Sequence, residues 1–192
     1  MKRLFLCACL FIPALDGHAG PPSNTDNEAN LSAAKSAIQA FAASLQAELK
    51  AAMQAGGPVA GVAVCNTRAM AITRQAAAAG MELSRVSLRN RNPDNAPNAW
   101  QTAVLETFEG QKVTGKDVTG LTWSDTVNID GGSEFRFMKA IPTGEVCLKC
   151  HGTTLAPGVD AVLADLYPHD KATGFKQGDI RGAFVAVRKL PN

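Results

Sequence analysis

Cys147-Leu148-Lys149-Cys150-His151 sets two thiols and an imidazole in the pattern Cys-x-x-Cys-His. Thiols at that spacing can each form a thioether with one vinyl group of a porphyrin, and the histidine that follows them then lies beneath the iron as proximal ligand. Two other chemistries use paired cysteines. A structural zinc site wants four ligands, and the chain has no second Cys or His pair to complete one. A thioredoxin-like dithiol sits early in a domain at a strand-to-helix junction, whereas this motif comes late, after Pro142-Thr143-Gly144. One covalent haem c is therefore expected, attached at Cys147 and Cys150 and ligated by His151.

The iron's other face has several candidates. Small electron carriers of the first cytochrome c class take a methionine downstream of the motif, but no methionine follows His151. Four-helix-bundle cytochromes carry the motif on their last helix, whereas here a strand candidate follows it. Cys65, His169, Met53, Met70, Met81 and Met138 remain, or no protein ligand at all. His169 lies in a polar loop, where histidines are mostly solvated. Met138 falls in a strand candidate, where core packing is its ordinary role. Free cysteines usually behave as small buried hydrophobes. Cys65 is nevertheless the odd thiol of an exported chain.

Export is expected from residues 1–19. Lys2 and Arg3 supply a positive start, Leu4 to Leu15 an apolar stretch, and Gly17-His18-Ala19 a cleavage site. The stretch is shorter than the ~20 residues a bilayer span needs, so the mature chain is expected to have no membrane span. Cleavage would remove Cys7 and Cys9 and leave Cys65, Cys147 and Cys150. It would also bring the charges close to balance, and no basic stripe argues for a nucleic-acid partner. Periplasmic or secreted localisation suits covalent haem attachment, which takes place outside the cytoplasm.

The elements that must position these residues are legible in the periodicity. Residues 20–30 are polar and read as a disordered leader. Ile38, Phe41, Leu45, Leu49 and Met53 form a helical stripe, which Gly56-Gly57 should end and Pro58 should restart. The second helical segment runs to Gly80 with Cys65 on its apolar side. Residues 83–89 suggest a strand, Asn90 to Asn95 a turn cluster, and residues 97–108 a helix closed by Gly110. Further strands are expected at 120–129, 134–141 and 182–189, with a short helix at 159–167. The outline is α+β: a helical region at 31–80, then a mostly antiparallel sheet region at 81–192.

A resemblance adds to this reading. Cys65, the run Arg85-Val86-Ser87-Leu88-Arg89-Asn90-Arg91-Asn92-Pro93-Asp94-Asn95, Trp100, Phe135-Arg136, the haem motif with Gly152, Tyr167-Pro168 and Gly178 to Ala183 together resemble the Tll0287-like family of haem c proteins. The likeness covers nearly all of the chain after the signal. It implies a PAS-like antiparallel sheet preceded by N-terminal helices, and an iron held by His151 and, on the distal side, Cys65. The chain departs from the family's usual Arg-Thr-Ser at Arg85-Val86-Ser87, away from both ligands.

A thiolate ligand donates strongly and favours ferric iron. The expected protein is an exported monohaem cytochrome for one-electron transfer, or a sensor of redox state or of a small ligand such as CO or NO. Each role needs a partner, a redox protein or a signalling protein. A peroxidase-like enzyme is the alternative, with only His169 left as an acid–base histidine. Arg85, Arg89, Arg91 and Arg136 are candidate partners for the haem propionates, since a guanidinium can bond a carboxylate in a bidentate way. Phe135, Phe137, Trp123 and Tyr167 are candidates for packing on the porphyrin.

Overall fold

The computed structural model describes residues 24–76 and 80–190. The expected signal peptide and the beginning of the leader lie outside the described residues. Four antiparallel strands form one sheet in the order β1-β4-β3-β2. They are β1 (Glu82–Val86), β2 (Thr122–Ile129), β3 (Gly132–Pro142) and β4 (Ile180–Leu190). β2 and β3 join through Asp130-Gly131, with Gly131 at φ 82°, the left-handed conformation a tight hairpin asks of glycine. The chain leaves the sheet after β3, makes two short helices, α4 (Glu145–His151) and α5 (Val159–Leu166), and returns as β4. Both helices thus hang from the centre of the sheet.

Alternation along the strands gives the sheet two apolar faces. Leu83, Phe135, Phe137 and Ala186 pack with Ile38, Phe41 and Ile72 of the N-terminal helices. Val86, Met138, Ala140, Ala183 and Val185 pack instead with Val104, Leu105 and Phe108 of α3 (Ala99–Val113). Phe41 and Phe137 are fully buried, and each contributes roughly 1.5–3 kcal/mol by leaving water. The arrangement is an α+β fold with helices on both sides of a four-stranded sheet.

The N-terminal helix α1 (Asn24–Thr67) breaks at Gly56-Gly57, where Gly57 takes φ 67°, as the two glycines foretell. The arms fold back on one another. Arg68, just past the second arm, pairs with Glu48 of the first at 3.2 Å. A Cβ on Gly61 would lie 3.0 Å from Met53 Sδ and 3.1 Å from Leu49 Cδ1, so the absent side chain lets the arms approach. Pro58 opens the second arm, where its missing N–H costs no helical bond. α2 (Ala69–Ala76) continues the return and brings Ile72 to the sheet.

Two boundaries differ from expectation. The disordered leader was expected through residue 30, yet α1 already begins at Asn24. Its polar residues serve the sheet: Asn30 is buried and accepts a bond from Arg188, and Asn27 Oδ1 accepts one from Thr126. Composition reports polarity but not a docking surface. In α3, Gly110 does not close the helix, which runs on to Val113 and stops before Gly115 at φ 86°. Asn98 starts α3 with a capping box, exchanging bonds with Gln101.

Candidate haem-binding site

α4 is the haem motif itself, seven residues long, with Cys147, Cys150 and His151 all partly buried. It starts two residues after β3, so the motif does sit at a strand-to-helix junction, contrary to the sequence reading. That placement no longer separates it from a redox dithiol. What separates it is the preparation of His151.

The His151 ring Nδ1 lies 2.7 Å from the carbonyl oxygen of Ala172. A carbonyl only accepts, so Nδ1 carries the proton and the Nε2 lone pair is left for a metal. Burial, then Arg181 and Arg91, push the imidazole down to about 2, against the small upward pull of the Ala172 bond. The ring is therefore neutral at any ordinary pH, as ligation requires. Phe175 meets it edge-on with centroids 6.3 Å apart, and the Phe175 amide donates to the His151 carbonyl at 2.9 Å.

A loop at 170–175 thus wraps His151, and Arg91 clamps it. The Arg91 guanidinium pairs with Asp170, Nη2 to Oδ2 at 3.0 Å, and both side chains are nine-tenths buried. The same Nη2 donates to the carbonyls of Cys150 at 2.6 Å and Ala172 at 3.3 Å. Asp170 Oδ1 in turn accepts the Ala172 amide at 2.8 Å. Arg89 donates to the Thr173 carbonyl and lies over the Phe175 ring at 4.0 Å. The Arg-Asn-Arg run therefore ties the histidine loop to the motif, a use of these charges that their sequence positions did not reveal.

Cys65 sits on the second arm of α1. The sequence placed it on an apolar side, but it is exposed to solvent. Surrounding protein still crowds it: desolvation raises its thiol, while Arg85, Arg91 and Arg181 pull it down. One helical turn earlier, Val62 is buried with Val159, Leu163 and Tyr167, and Cys150 packs against this cluster. At the start of the same arm, the Pro58 carbonyl lies 3.9 Å from Cys150 Sγ. The arm thus runs from the motif's second thiol to Cys65. The three arginines that act on Cys65 also act on His151.

The remaining candidates separate. Met138 and Met81 are buried in the two cores, and His169 is exposed in the turn after Tyr167. Arg136 pairs with Glu134 and covers Trp100 at 4.9 Å on the α3 face of the sheet. Trp123 stacks on Trp100, centroids 5.7 Å apart, on that same face. Phe135 and Phe137 are core residues under α1. Tyr167 stays near Cys65, its hydroxyl bonded to Asn66 and raised by burial. Arg181, Asp170 and Phe175 belong to the site and were given no role from sequence. Arg181 stood only within the Gly178 to Ala183 run of the family resemblance, and Asp170 and Phe175 had no signal beyond charge and aromatic character between the motif and β4. Of two clefts, one of about 280 Å³ lies apart at the rim of β1, β3 and β4, and one of about 350 Å³ lies between residues 87–89 and α3, with Arg89 and Phe175 of the histidine loop in its lining. Among the described residues no group of three or more His, Cys, Asp or Glu could hold a metal, and no helix is long and apolar enough to cross a membrane. A porphyrin brings its own four nitrogens, so two axial side chains and two thiols suffice. The donors present fit that group.

The family model described as Tll0287-like matches residues 23–187. The crystal structure of the cyanobacterial heme-protein Tll0287 superposes with a TM-score of 0.58 at 24% identity, covering 85% of this chain and 96% of that one. No curated protein matches.

Proposed function

Because this chain belongs to the Tll0287-like family, we propose that it is an exported monohaem c protein whose iron is held between His151 and Cys65 and which works by one-electron redox change. The observation that carries the proposal is the shared surround of the two ligands. An imidazole with its Nε2 left for iron and a thiol from another element answer to the same three arginines. Haem, when bound, supplies a ferric/ferrous couple. Cys147 and Cys150 would anchor it by thioethers, and α4 would hold both sulfurs on one short helix.

The chain's own residues set the character of that couple. Ala172 holds the His151 ring in one tautomer and orientation. Arg85, Arg91 and Arg181 favour an ionised Cys65, and an anionic sulfur ligand favours the oxidised metal. Two uses follow from such a site. A low-potential carrier keeps Cys65 bound in both oxidation states. A sensor of redox state or of CO or NO releases it on reduction and signals to a partner protein, a use the expected PAS-like sheet would suit. The cleavable leader expected in residues 1–19 supports export to the periplasm.

Spectra of the purified holoprotein test the reading. Cys65→Ala should abolish the low-spin ferric spectrum of a thiolate complex while leaving haem covalently attached through Cys147 and Cys150. An unchanged ferric spectrum would remove Cys65 from the iron. CO added to the reduced protein then divides the two uses: rapid binding marks the sensor, and indifference the carrier.

A further inference from the structure

Resting on the haem reading above, we infer that Arg85 and Arg181 together form the seat of the haem propionates. Four arginines were candidates from sequence, and three of them are committed elsewhere. Arg91 is paired with Asp170 and two carbonyls, Arg89 with Thr173 and the Phe175 ring, and Arg136 with Glu134 on the far face of the sheet. Arg85 remains, and Arg181 joins it. Among the described residues neither has a carboxylate within ion-pair distance, 4.0 Å. Arg181 also stands over the Phe175 ring, at 5.2 Å against 4.0 Å for Arg89, and its Nη1 reaches only neutral oxygens, Ser87 Oγ and the Arg89 carbonyl, each at 3.3 Å. A crowded guanidinium without an anion is costly unless a ligand brings one.

Sheet geometry explains why these two meet. Arg85 shares its face of β1 with Leu83, the face that α1 covers. Arg181 sits at the irregularity in the pairing of β3 with β4, between Ile141 and Pro142. Ile180 and Ala183 are three residues apart yet both belong to the α3 core, which an unbroken strand forbids. The bulge therefore turns Arg181 away from α3 and toward the α1 side, where Arg85, Cys65 and His151 lie. Both arginines act on both axial candidates. Arg85, Arg91 and Arg181 against Asp170 leave an excess of two positive charges, which two propionates would neutralise.

The test uses the holoprotein and its resonance Raman spectrum, in which the propionate bending band reports hydrogen bonding at the carboxylates. Arg85→Gln and Arg181→Gln should each move that band and shift the reduction potential downward, because a lost cation favours ferric iron. Arg136→Gln should do neither. Arg85→Lys and Arg181→Lys should restore the potential by keeping the charge, yet still move the band by losing the planar fork. If the glutamine variants take up no haem, the lysine variants decide by the same band. A band unmoved in every Arg85 and Arg181 variant overturns the seat, even where the potential shifts, since the arginines would then serve only the thiolate. A colourless wild-type protein sinks the haem reading itself, whereas a coloured one with an unmoved band sinks the seat alone.

Discussion

His151 and Arg91 show how single side chains prepare this site. The imidazole is kept neutral by burial and by the guanidiniums of Arg181, Arg91 and Arg85, down to about 2. In the unfolded chain a histidine titrates near 6.5, so the folded value is the lower one and the native state resists the proton. Stability from this group is complete above pH 6.5 and falls as pH drops below it. For the haem-free chain the loss should approach ~1.4 kcal/mol per pH unit. Denaturant melts between pH 6.5 and 5 read this above most carboxylate titration, and His151→Gln should flatten the slope there. Arg91→Ala should cost about 3–5 kcal/mol, because it strands the buried Asp170 carboxylate and frees the carbonyls of Cys150 and Ala172. Urea midpoints would measure it, and a loss under 1 kcal/mol would show that the clamp is incidental.

Among the elements, β4 is the most constrained. Gly182 takes φ 153°, and a Cβ there would lie 2.2 Å from the Val86 carbonyl oxygen across the β1–β4 pair. Gly182→Ala must therefore distort a backbone region nearly closed to other residues and push β1 and β4 away from each other. A loss of at least ~2 kcal/mol is expected in thermal or urea unfolding. The helices tell a complementary story. Gly56-Gly57 and Pro58 were readable as a break because backbone freedom and a fixed φ are properties of the residues themselves. Gly110 was misread as a stop, since a glycine inside a helix costs only ~1 kcal/mol and the packing of Leu105 and Phe108 outweighs it.

At the scale of the molecule, the two axial candidates come from opposite sides of one packing interface. Cys65 rides on the second arm of α1, and His151 on the excursion between β3 and β4. Val62, buried against Val159, Leu163 and Tyr167, fastens one to the other. Val62→Ala should cost about 1–3 kcal/mol and lower the fraction of ferric protein with a sulfur ligand, which absorption spectra and chemical denaturation would read together. Retained ligation with the same loss of stability would mean that the arm is placed by the Phe41 and Ile72 contacts instead.

Much of this protein was determined by local chemistry alone. Cys147, Cys150 and His151 fall within five consecutive positions on one helix, and the strand candidates at 120–129, 134–141 and 182–189 lie within two residues of the strands that form. Tertiary structure decided the rest. That Arg91 is taken by Asp170, 79 positions away, and that the β3–β4 pairing slips beside Arg181 depend on contacts that form only in the folded chain. Spacing along a chain carries the chemistry of neighbours, but a charge's partner across a fold exists only once the fold has closed.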